Sequence, residues 1–146
     1  MELVDAISEE NLQHLVERLA SFETRNTLSS TDHPEMGIGA ARQWMLEEMQ
    51  SYSPRLQVSF DSYRIPAQGR IVNEVELRNV MAILPGRSAR RVYVGGHYDS
   101  VARRELGDTT PEGSFDNFAP GANDDGSGTA LTMELARVLA QSGIEF

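Results

Sequence analysis

Two short stretches hold residues that do chemistry in combination. In "YVGGHYDSVA", residues 93–102, an apolar run breaks at Gly95 and Gly96 and delivers His97 and Asp99 two residues apart. In "PGANDDGSG", residues 120–128, the adjacent aspartates Asp124 and Asp125 stand just before a helical pattern. The chain has no cysteine, so a metal ion would rest on imidazole and carboxylate, donors suited to catalytic zinc or a related divalent ion. Either stretch alone also reads as a turn. Asp125 or Ser127 would cap the following helix, and "HYDS" would close a strand. The two glycines are expected to let the backbone turn tightly ahead of His97 with no side chain in the way.

Periodicity locates the elements that must bring these stretches together. Leu12, Leu15, Val16 and Leu19 fall at helical spacing in residues 9–20, with Ser8 as N-cap. Ile38, Ala41, Trp44, Met45 and Met49 predict a second helix over 38–50, and "ETRNTLSSTDHPEMG" between the two reads as a loop. Residues 56–65 alternate apolar and polar and predict a strand with one wet face; 74–84 predict a second. The short apolar run Arg91–Gly95 predicts a third strand, buried on both faces. A loop from about 101 to 121 leads into a helix over Ser127–Gln141, with Leu131, Leu135, Val138 and Leu139 on one face. The closing "GIEF" reads as a connection toward a further strand. In an open α/β sheet, reacting groups gather where strand C-termini meet helix N-termini. His97 and Asp99 leave such a strand, and Asp124 and Asp125 precede such a helix, whose dipole favours negative charge. Both pairs are expected to converge.

Composition bounds what else the chain does. A net charge of −9 excludes the basic surface that nucleic acid or an anionic membrane rewards. The opening "MELVDAISEENLQ" has neither a basic region nor a long apolar run, so no signal peptide is expected, and no stretch reaches the length of a membrane span. Compartment stays open on this reading. No Gly-x-Ser-x-Gly elbow or P-loop is present, and "GIGAAR" follows no strand, so it is not a dinucleotide fingerprint. His14 and His33 read as surface residues, Trp44 and the methionines as core, and Glu47, Glu48, Glu105 and Glu112 as a solvated face.

"GGHYDS", followed about twenty residues later by "APGANDDGSG", resembles the zinc-dependent aminopeptidases of peptidase family M28. The likeness extends through "LRNVMAILPG" and "SGTALTMELARVLA". It implies an α/β fold in which these residues form part of a mixed, mostly parallel sheet flanked by helices. It implies that His97 ligates a metal ion and that Asp99 orients it through its outer ring nitrogen. Asp124 is implied to bridge two zinc ions ~3.5–4 Å apart, with Asp125 as helix cap or backbone anchor and a cis Asp124–Asp125 peptide. Asn123 departs from the family, where another acidic residue often stands. In the family a Glu-Glu strand and later ligands follow, and none lies within these 146 residues. Residues 1–146 are therefore expected to be the N-terminal portion of a single catalytic domain, with a weak or partial zinc site and no catalytic base. The complete enzyme would act on peptide substrates, and full-length relatives are often exported. The edge of 91–95 is expected to support self-association. Two other functions fit the same fold: a glutaminyl-cyclase-like acyltransferase with one zinc, and a non-catalytic module.

Overall fold

A computed structural model describes residues 3–101 and 115–146. After a single turn of 3-10 helix at Leu3–Ala6 come α1 (Glu9–Ala20), α2 (Gly37–Tyr52), β1 (Gln57–Ile65), β2 (Val75–Ile83) and α3 (Ser127–Gln141). The order is that of a small α/β domain. Most of the loop expected over 101–121 lies outside the described residues.

α1 begins where the sequence says it should. The Ser8 hydroxyl accepts the Asn11 amide at 3.0 Å, and Leu15 and Leu19 turn into the core. α2 sets Met45, Met49 and Tyr52 against them, and α3 adds Ala130 and Met133. β1 and β2 pair antiparallel in the register Gln57↔Ile83 to Ile65↔Val75. Val58 and Val80, two rungs apart on the same face of this hairpin, pack on the helical core. Trp44 is half-buried and meets Phe22 at a ring-centroid distance of 5.8 Å, with the Arg18 guanidinium 4.4 Å over the Phe22 ring.

Two expectations differ from the structure. Residues 91–95 form no ladder with any described strand, and Val92 stands 90% exposed with Tyr93 and Val94 also exposed. β1 and β2 pair only with each other, and 91–95 joins neither of their outer edges. The observed sheet is a two-stranded antiparallel hairpin rather than a mixed parallel one. The second difference is the face of α3. Of the expected stripe only Val138 is buried, Leu135 and Leu139 are half-buried, and Leu131 is 57% exposed. The buried side runs instead through Thr129, Ala130, Met133 and Glu134. Small Ala130 lets α1 and α2 come close there, and the larger leucines are left to the other side.

Glu134 is a buried carboxylate that ties the N-terminal segment to α3. Its Oε1 accepts the Ser8 amide at 2.8 Å, its Oε2 accepts Asn11 Nδ2 at 2.6 Å, and Arg137 donates to both oxygens. Arg137 Nη2 also donates to the Ala6 carbonyl at 2.8 Å. Burial alone raises the Glu134 pKa, but the hydrogen bonds from Arg137, the Ser8 amide and Asn11 outweigh it and hold it below the usual carboxylate value. A carboxyl with a depressed folded pKa contributes stability that is present above its unfolded pKa and lost as pH falls through the folded value. Two outcomes are expected in urea unfolding. Glu134→Ala loses about 3 kcal/mol at neutral pH, as for a buried pair deprived of one partner. Glu134→Gln flattens the loss of stability that the parent chain shows on acidification below about pH 4.

Candidate metal centre

His97 is fixed at both its main chain and its ring. Its amide donates to Asp125 Oδ2 at 3.2 Å, and its carbonyl accepts from the buried Thr129 hydroxyl at 3.1 Å. On the ring, Nδ1 lies 3.1 Å from Asp99 Oδ1 and 3.2 Å from the Asp99 carbonyl. Both neighbours are acceptors, and with the proton on Nδ1 the Nε2 lone pair is free to take a cation. Nε2 lies 3.1 Å from Asp124 Oδ1. The HxD stretch and the aspartate pair therefore meet, one at the close of an apolar run and the other just before α3.

The Asp124–Asp125 turn is shaped by what precedes it. Residues 122–126 form one wide π-type turn in which Asp124 and Asp125 leave helical geometry, and the peptide between them is cis. The turn closes with the Gly126 amide on the Gly121 carbonyl at 3.0 Å. Gly121 has φ of +50°, and a Cβ there would lie 2.8 Å from both the Asp124 carbonyl oxygen and Ser100 Cβ. Asp125 does two jobs with one carboxylate: Oδ1 accepts the Gly128 amide in the first turn of α3 at 3.0 Å, and Oδ2 holds His97. Ser127, the other expected cap, donates instead to the Asn123 carbonyl at 3.1 Å.

The two glycines before His97 are not equivalent. Neither has positive φ, so the expected tight turn is not what they provide. A Cβ on Gly96 would meet the Gly128 carbonyl carbon and the Thr129 nitrogen at 2.9 Å, whereas one on Gly95 would meet nothing within 4 Å. Gly96 is needed because the chain passes against the start of α3. Gly95 is not needed for that contact.

The arrangement is electrostatically uneven. Burial lowers the His97 pKa, but the Asp99 carbonyl and carboxylate, and then the Asp125 charge, outweigh it and hold the imidazole above its ordinary value. A lone pair and a carboxylate oxygen facing each other at 3.1 Å call for a cation between them, a proton or a metal ion. Two donors on one tetrahedral zinc, each ~2.0–2.1 Å from it, are roughly 3.3 Å apart, so the spacing fits a shared ion. The donor chemistry also fits, with an Nδ1–H held by a carboxylate behind the free nitrogen. Among the described residues no third carboxylate or imidazole completes the cluster. His14 and His33 lie elsewhere, both exposed. His33 accepts the Glu35 and Met36 amides on Nδ1 just before α2.

One contributor lies outside both motifs. Arg25, in the loop between α1 and α2, is fully buried and donates to carbonyls on both sides of the site, those of Tyr98 and Gly121. In sequence it is one arginine among thirteen basic residues, and no local signal marks it.

Residues 79–146 match the sequence profile of peptidase family M28. Over 145 residues the chain is 43% identical to a probable zinc metalloprotease of Leptosphaeria maculans, covering 95% of this chain and 32% of that protein. It is 42% identical over 145 residues to a probable zinc metalloprotease of Pyrenophora teres f. teres, covering 95% of this chain and 29% of that protein. Leucine aminopeptidase 1 of Coccidioides posadasii is 31% identical over 140 residues, covering 96% and 32% respectively. The chain thus spans about a third of the length of the curated relatives it matches.

The glycine contrast is directly testable. Gly96→Ala is expected to destabilise the chain by about 1–3 kcal/mol, because main-chain atoms of α3 cannot give way. Gly95→Ala is expected to stay within about 0.5 kcal/mol of the parent. Denaturant midpoints measure both, and the His97 amide resonance should shift in the first variant alone.

Proposed function

Because residues 79–146 belong to peptidase family M28, we propose that this chain is the metal-binding N-terminal portion of the catalytic domain of a zinc-dependent aminopeptidase. The observation that carries the reading is the 3.1 Å approach of His97 Nε2 to Asp124 Oδ1, with Nδ1 held by Asp99 behind it. His97 and Asp124 are the residues that would hold zinc, His97 on one ion and Asp124 shared between two. Leucine aminopeptidase 1, among the relatives, supports an N-terminal peptide bond as the target.

Each residue has a definable task. Asp99 keeps the proton on Nδ1 and so keeps Nε2 available as a donor. Asp124 adds negative charge opposite that donor, and Asp125 fixes the His97 main chain to α3. Zinc, when bound, supplies a polarised carbonyl and a water acidified toward neutrality. A general base must be free to take a proton. Around His97, Asp99 is engaged with the imidazole, Asp125 with two amides, and Asp124 with Nε2. That leaves no described carboxylate at this site to serve as base. Residues 91–95 would be an inner strand of a mixed sheet whose partners lie beyond these 146 residues or on a second copy. The exposed Val92, Tyr93 and Val94 support that reading.

The 146-residue chain is expected to bind at most one zinc ion, more weakly than a complete site, and to leave leucyl-amide substrates intact. His97→Ala should abolish the binding, and Asp99→Ala should weaken it by about 10–100-fold. Calorimetric titration and an amide-release assay measure these outcomes. Two tight sites per chain, binding indifferent to His97, or turnover by the chain alone would overturn the reading.

A further inference from the structure

Arg25 holds both halves of the site without touching either ligand. Its side chain is 0% exposed, and every described hydrogen bond from its guanidinium goes to a main-chain carbonyl. Nε donates to Tyr98 at 2.7 Å, Nη1 to Leu19 at 2.7 Å and Pro120 at 2.6 Å, and Nη2 to Gly121 at 3.1 Å. Tyr98 sits between His97 and Asp99, and Gly121 begins the turn that carries Asp124. The main chain repeats the pattern. The Arg25 amide donates to Ser100 Oγ at 2.9 Å, the Ser100 amide donates to the Arg25 carbonyl at 3.1 Å, and Ser100 Oγ donates to the Ala119 carbonyl at 2.6 Å.

A buried cation without a carboxylate is a costly way to fill space, and an apolar residue would pack at least as well. What an apolar residue lacks is the planar fork of five donors, able to fix oxygens arriving from separate segments. The end of α1, the HxD segment and the turn before α3 all supply such oxygens. Resting on the reading that His97 and Asp124 are metal ligands, we propose that Arg25 is a positioning residue: its guanidinium sets the separation of His97 and Asp124 by fixing the Tyr98 and Gly121 carbonyls. Lysine, a point charge on a flexible stem, does not reproduce this.

The test uses the full 146-residue chain with Arg25→Lys, Arg25→Met and Ser100→Ala, beside Leu15→Ala as a core control remote from the site. The first readout needs no metal: the ring nitrogen shifts of His97 by NMR, which report its tautomer and its contacts with Asp99 and Asp124. The second is cobalt(II) affinity with its visible spectrum. Both Arg25 variants should move the His97 ring shifts toward those of a free imidazole and weaken cobalt by about 10–100-fold. Leu15→Ala should lower the thermal midpoint yet keep the ring shifts and hold affinity within about two-fold. Should Arg25→Met fail to fold, Arg25→Lys and Ser100→Ala carry the comparison, with Ser100→Ala moving the same signals by less. The proposal is overturned if folded Arg25 variants keep the parent shifts, or if Leu15→Ala moves them equally. If the parent chain binds no cobalt, the ligand reading fails, and the ring shifts still decide whether Arg25 positions His97.

Discussion

A guanidinium removed from water must replace every hydration bond it gives up, and in this chain that requirement draws distant segments to one point. Arg25 finds its oxygens on Leu19, Tyr98, Pro120 and Gly121, so the end of α1, the HxD segment and the approach to α3 have to arrive together. The Ser100 hydroxyl completes the same seam, accepting the Arg25 amide and donating to the Ala119 carbonyl. Burial presses the Arg25 pKa down, countered in part by the Asp99 charge, yet an arginine stays protonated under any working condition. The seam is therefore a permanent feature and not a titrating one. Glu134 applies the same rule with the opposite sign, collecting donors from Ser8, Asn11 and Arg137 to bring the N-terminal segment onto α3.

The apolar core is organised around these polar anchors. Leu15 and Leu19 of α1, Met45 and Met49 of α2, and Ala130 and Met133 of α3 form one cluster, with the β1–β2 hairpin covering part of it. α3 is the shared element. Its first turn receives His97 through Asp125 and Thr129, its middle carries Glu134, and its buried side closes the core.

Much of this was legible in the chain. α1 could be read because cap and stripe agree, with Ser8 bonding Asn11 and Leu15 and Leu19 turned inward. The hairpin followed from alternation, and the meeting of His97 with Asp124 followed from one motif ending an apolar run and the other opening a helix. What failed depends on partners distant in sequence. "VYV" has the composition of a buried strand, but a strand exists only where another backbone pairs with it. The α3 stripe was misjudged because apolarity marks both sides of that helix, and only the small residue at Ala130 tells which side comes close. Gly95 and Gly96 look alike in the sequence; the proximity of Gly128 and Thr129 separates them. Arg25 could not be found at all, since an arginine in a loop normally faces water and its burial rests on carbonyls some 70 to 95 residues away as well as nearby Leu19.

Val92, Tyr93 and Val94 lie open on a chain that carries a net charge of −9. Two copies that approach through this segment bring like charge together over a distance comparable to the Debye length, ~10 Å at 0.1 M salt. Repulsion between copies then acts as a colloidal brake on contact between apolar segments that no described residue covers. The brake weakens as ionic strength rises, whereas apolar attraction does not. Raising the salt concentration would thus lower the electrostatic barrier around this segment and leave its apolar surface as it is.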